Sequence, residues 1–130
     1  MTAHDLYRQP AAPLIHSEAS AASAVILALA GEVDFATSGE LQQRLAELLE
    51  ASDAPVVVVD MSEVRFIDAA GVGVIVSAHA AAAAHGRHLY VTGLRATPAR
   101  VFELLGLGWL RVPHCGPRIR LPERKAGGWP

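Results

Sequence analysis

Three aspartates, Asp34, Asp60 and Asp68, stand where strands hand over to loops or helices. Carboxylates gathered at the carboxyl edge of an α/β sheet could hold Mg²⁺, or work as a general acid–base pair. Each also has a plain structural account. Asp34 and Asp60 suit water-facing loops, and Asp68 suits the N-cap of a helix beginning at Ala69. No Ser-His-Asp, Cys-His or His-Glu spacing accompanies them, so nothing supports nucleophilic or zinc-dependent catalysis. The six histidines (His4, His16, His79, His85, His88 and His114) offer one close spacing, His85-Gly86-Arg87-His88, which spans a turn and reads as solvated. Gly71-Val72-Gly73 follows no glycine-rich loop and precedes no Lys-Ser/Thr pair, so it is no phosphate cradle; glycines there let a helix start approach another backbone.

The elements that must position these residues are legible. Val56 to Val59 is a run of four valines, too short and too β-branched for a helix, and reads as a buried parallel strand ending at Asp60. A short loop then leads to Asp68. Val25 to Leu29 is a second strand, stopped at Gly31, and Leu14-Ile15 begins an edge strand. Thr37-Ser38-Gly39-Glu40 has the form of a capping box, with Thr37 as N-cap. Leu41, Leu45, Leu48 and Leu49 follow on one helical face. A second helix runs from Ala69 to about Ala84, with Val72, Ile75, Val76 and His79 inward and Gly86 at its end. Leu89 to Val91 is a strand. Thr97-Pro98 opens a third helix with Val101, Leu104 and Leu105 as its stripe, Gly106 ends it, and Trp109 to Val112 is a last strand. The order is ββαβαβαβ, an α/β fold with a mostly parallel sheet of four to five strands and three to four helices.

Size and composition narrow the classes. A chain of 130 residues, 52% hydrophobic and 18% charged, suits one cored domain. Residues 1–13 read as a flexible arm, 14–112 as the domain, and 113–130 as a mostly disordered basic tail. A net charge of −2 gives no general attraction to nucleic acid. The single Cys115 precludes an internal disulfide and fits a reducing cytoplasm, and residues 1–13 lack the pattern of a secretory signal. Val72 to Ala84 is apolar but shorter than the roughly 20 residues a bilayer span needs. Ala78 and Ala80 to Ala84 stand where a surface helix normally carries charge; compositional bias accounts for them, and so does contact with a partner or a second copy.

Gly31-Glu32-Val33-Asp34, the stretch from Asp60 to Gly71, and Gly106-Leu107 resemble, in order and spacing, the STAS domains of bacterial anti-sigma factor antagonists. The resemblance covers roughly residues 14–112. In that family an Asp precedes two small, usually hydroxylated residues, a Gly and an aliphatic residue; here the match is Asp68-Ala69-Ala70-Gly71-Val72.

The resemblance implies a non-catalytic, cofactor-free and metal-free cytoplasmic module that binds a kinase-type anti-sigma factor and frees a sigma factor. It implies a partner surface including Asp34, Asp60, Ser62, Asp68, Ala69, Ala70, Gly71 and Val72. The family's phosphoacceptor falls on Ala70, which has no hydroxyl; Ser62, Ser77, Thr37 and Ser38 are hydroxyls outside that position. STAS domains also serve as accessory subunits of membrane transport systems. A nucleotide-binding enzyme is a third class, resting on the three acids alone.

Overall fold

The computed structural model describes residues 17–20 and 23–111. The elements are β1 (Ser17–Ser20), β2 (Ala24–Val33), α1 (Phe35–Ala51), β3 (Val56–Ile67), α2 (Ala69–Ala83), β4 (His88–Thr92) and α3 (Ala96–Leu104), followed by a 3₁₀ turn, Gly108–Leu110. The sheet order is β1-β2-β3-β4, with β1 antiparallel to β2 and the other pairs parallel. The fold is therefore the expected α/β architecture. The arm, the tail and Leu14-Ile15 lie outside the described residues. No described helix is long and apolar enough to cross a membrane.

The valine run occupies the centre of the sheet because β-branched side chains pack well on a pleated surface buried on both sides. Val25, Val57 and Leu89 lie side by side across the three parallel strands, as do Leu27, Val59 and Val91. Leu41, Leu45 and Leu48 of α1 and Val72, Ile75 and Ala78 of α2 complete one core with them. Arg87 fastens the far end. Its Nε donates to the Ala54 carbonyl at 2.9 Å and its Nη1 to the Leu49 carbonyl at 2.8 Å, beside the C-terminus of α1.

Several local expectations are corrected. β2 does not stop at Gly31: with φ at 93° and shifts in the pairing register on either side, it bends there and runs on to Val33. β3 does not end at Asp60 but continues to Ile67, because bent β2 stays beside it and pairs Glu32 with Phe66 and Val33 with Ile67. The cap of α1 is Asp34, not Thr37, so the helix starts three residues earlier. α3 starts at Ala96 with no side-chain cap, which places Pro98 inside the first turn.

The buried side chains of α3 are Pro98 and Phe102; Leu104 and Leu105 are exposed, because the bulkier Phe102 takes the inner position. On α2 the deepest residues are Gly71, Val72, Ile75, Ala78 and Ala82, while Val76 and His79 are half-buried. The last strand is reduced to a 3₁₀ turn and a single bridge from Arg111 to Val91.

Candidate functional site

Helices α1 and α2 begin next to each other at one end of the sheet, and two aspartates arrange both starts. Asp34 Oδ1 accepts from Thr37 N–H at 3.1 Å, and the Thr37 hydroxyl accepts from Asp34 N–H at 2.9 Å. That reciprocal pair satisfies two backbone donors. The buried Thr37 hydroxyl also donates to the Glu32 carbonyl at 3.0 Å, tying the cap to bent β2. Asp68 uses both oxygens: Oδ1 accepts from Gly71 N–H at 3.0 Å, capping α2, and Oδ2 accepts from Phe35 N–H at 3.0 Å, at the first residue of α1. Its own N–H donates to the Val33 carbonyl at 3.0 Å. Asp68 is thus a clamp between two helix N-termini, where negative charge is favoured.

Gly71 belongs to the same joint. A Cβ there would lie 2.7 Å from Val33 Cγ1 and 2.8 Å from the Val33 carbonyl oxygen. The close approach expected of a glycine is confined to this position, since nothing lies within 4 Å of a Cβ at Gly73. Val72 is buried in the core, Ala69 is exposed, and Ala70 is half-buried. The surface at Asp68 is therefore a methyl-lined helix start without a hydroxyl.

Asp60 and Ser62 do not join this group. Asp60 sits where β4 ends, opposite Thr92, and accepts from Ser62 N–H at 2.9 Å. The chain takes eight residue steps from Asp60 along β3 to Asp68, at most about 26 Å at about 3.3 Å per residue. Gly93 packs against this second turn: a Cβ there would lie 2.9 Å from Ser62 Cβ and 3.0 Å from Asp60 Oδ1. The three carboxylates do not converge, and no group of three His, Cys, Asp or Glu residues able to hold a metal occurs among the described residues.

Two residues escaped the sequence reading. Phe35, 83% exposed, follows Asp34, and Phe66, 42% exposed, lies two residues before Asp68. An aromatic on a helix start or a strand is ordinarily core, so only their nearness to the two acids in sequence could have marked them. Together they place apolar surface beside the joint.

A family model described as "Mlab, STAS domain" matches residues 16–112. The chain belongs to the STAS domain family. Over 79 residues this STAS domain is 32% identical to the anti-sigma-B factor antagonist of Listeria monocytogenes, covering 61% of this chain and 68% of that protein. Among solved structures it is similar to the unphosphorylated form of the Bacillus anti-sigma factor antagonist SpoIIAA, with a TM-score of 0.67 at 17% identity, over 75% of this chain and 86% of that one. It is also similar to an anti-sigma factor antagonist from Mycobacterium paratuberculosis, with a TM-score of 0.64 at 22% identity, over 78% and 86% of the two chains. These two likenesses are of fold.

Proposed function

We propose that this STAS domain is an anti-sigma factor antagonist that works in the cytoplasm by binding, not catalysis. It captures a serine-kinase anti-sigma factor and so frees a sigma factor, and no phosphate in the Asp68 loop ends the complex. The observation that carries this reading is the bare helix start: Asp68 holds the loop in place, yet Ala69 and Ala70 offer only methyl groups. Phosphoryl transfer needs an attacking hydroxyl. The partner surface centres on Asp34, Phe35, Phe66, Asp68, Ala69 and Ala70, with Gly71 and Val72 setting its shape from below. Asp60 and Ser62 serve as a separate outlying contact.

The test is titration with the serine-kinase anti-sigma factor of the same genome, in Mg-ATP, with sigma release followed in parallel. The complex should form and persist, and the loop should stay unphosphorylated by peptide mass. Ala70→Ser should gain a phosphate there and lose affinity in ATP. Ala70→Asp should bind about a hundredfold more weakly, equivalent to roughly 3 kcal/mol. Failure to bind the anti-sigma factor, or a phosphate in the loop of the unsubstituted protein, would refute the proposal.

A further inference from the structure

Between α1 and α2 the outer surface of the domain is grooved. Two cavities, of about 460 Å³ and about 170 Å³, share Leu49 and Ala81 and so form one channel along the seam. Buried Leu45 and Ala78 line its floor. Ala46, Leu49 and Asp53 follow at steps of three or four residues along α1 and just past its end, and Ser77, Ala81 and His85 do the same beside α2. Ala46, Ser77 and Ala81 are exposed, where a surface helix ordinarily carries long polar side chains. Rims this small admit a third helix at the usual distance of about 8–10 Å between axes. From Val74 to His85 the channel is about 16 Å long at about 1.5 Å per residue, roughly three helical turns.

One end of the channel is charged. Glu50 and Asp53 stand there, exposed, and neither has a hydrogen bond or ion pair among the described residues. The neighbouring basic groups are engaged: Arg87 donates to the Ala54 and Leu49 carbonyls, and His85 Nδ1 lies 3.1 Å from the Ala81 carbonyl oxygen. α1 and α2 both finish at this end, and neither has a basic residue in its last turn. Their C-termini therefore add negative charge to that of the two acids. The occupant favoured here is positive. A second copy does not supply it, because its α2 carries no Lys or Arg and its own channel end is acidic too.

We propose that this channel receives a cationic amphipathic helix of a partner protein. The helix lies antiparallel to α1 and α2, its apolar stripe on Leu45, Leu49 and Ala78, with a Lys or Arg of its first turn against Glu50 and Asp53. The antiparallel sense sets the positive N-terminus of the incoming helix against the two acids. Recognition of a helix in a groove reads apolar anchors at every third or fourth position, as the channel's own spacing does. The alanines of α2 are then a docking surface, small so that two backbones can approach. The charged end lies at the helix C-termini, away from the Asp68 joint, so this inference does not rest on the anti-sigma factor reading.

The probe is a stapled helical peptide of about four turns, built of leucine and alanine with two lysines in its first turn, titrated into the full chain by calorimetry. It should bind with micromolar affinity, and amide shift changes in the protein should centre on Leu49, Ala81 and Ala82, not on Phe35 and Asp68. Ala81→Trp should weaken binding about tenfold or more by filling the channel, and Glu50→Lys with Asp53→Lys should do so by reversing its charge. Glu63→Lys, an exposed change outside the channel, should leave affinity unchanged. Glutamates in place of the two lysines should weaken the peptide by a similar factor. Because Ala81, Glu50 and Asp53 are exposed, melting should stay within a few degrees of the parent. Should Ala81→Trp fail to fold, the shift map of the unsubstituted chain decides. No binding, shifts centred elsewhere, equal binding of the glutamate peptide, or affinity indifferent to Ala81→Trp in a folded protein would overturn the proposal. So would a dimer of the unsubstituted chain in sedimentation that Ala81→Trp dissociates, since the channel would then hold a second copy.

Discussion

Gly71 and Gly73 stand two residues apart in α2, yet alanine at the two positions should act in opposite directions. At Gly71 the new methyl would meet Val33 Cγ1 at 2.7 Å, the Val33 carbonyl oxygen at 2.8 Å and Ile67 Cγ1 at 3.0 Å. Comfortable contact begins near 3.5 Å, so α2 must retreat by roughly 0.7 Å. Two of the obstacles belong to β2, whose backbone cannot yield without disturbing its pairing with β3. Overpacking of this kind costs about 1–3 kcal/mol. The retreat would also stretch the Asp68-to-Val33 and Phe35-to-Asp68 hydrogen bonds, worth about 1 kcal/mol each. Better helix propensity returns about 1 kcal/mol. The net expectation for Gly71→Ala is a loss of roughly 2 kcal/mol. At Gly73 the methyl meets nothing within 4 Å, so only the propensity term remains, a gain of about 0.5–1 kcal/mol. Urea denaturation at fixed m-value, with thermal melts in parallel, measures both. For a domain of this size, melting should fall by on the order of 10 °C in one variant and rise by a few degrees in the other. A Gly71→Ala protein as stable as its parent, or two shifts of the same sign, would refute the close-approach argument.

Asp68→Ala removes acceptors for two helix starts, so stability should drop by about 1–2 kcal/mol in chemical denaturation, beyond what a single cap of average worth gives. Arg87→Ala should cost about 2 kcal/mol, since the Ala54 and Leu49 carbonyls lose charged donors; Arg87→Lys, lacking the guanidinium fork, should recover less than half of it. Phe35→Ser and Phe66→Ser should leave melting within a few degrees while weakening anti-sigma factor binding by about tenfold or more in calorimetry. Unchanged affinity in both would move the contact surface elsewhere.

The sequence alone determined what short-range chemistry controls. Four consecutive valines could be little but a strand, leucines at helical spacing had to face a core, and Asp68 ahead of small residues had to cap a helix. The order of those segments, with the Asp68-to-Val72 motif, already carried the family. Boundaries that depend on a distant neighbour were different. β3 outruns Asp60 because β2, bent at Gly31, remains beside it to accept pairing; nothing within β3 announces that. The second oxygen of Asp68 reaches Phe35, 33 residues away, and Asp60 falls far from Asp68 because the segment between them stays extended. The side of α3 that turns inward was settled by Phe102 filling space among other elements, where the stripe of Val101, Leu104 and Leu105 was equally regular in sequence. Propensity and capping act within about one turn of chain, whereas register, burial and the meeting of two helix ends depend on which segments pack together in three dimensions.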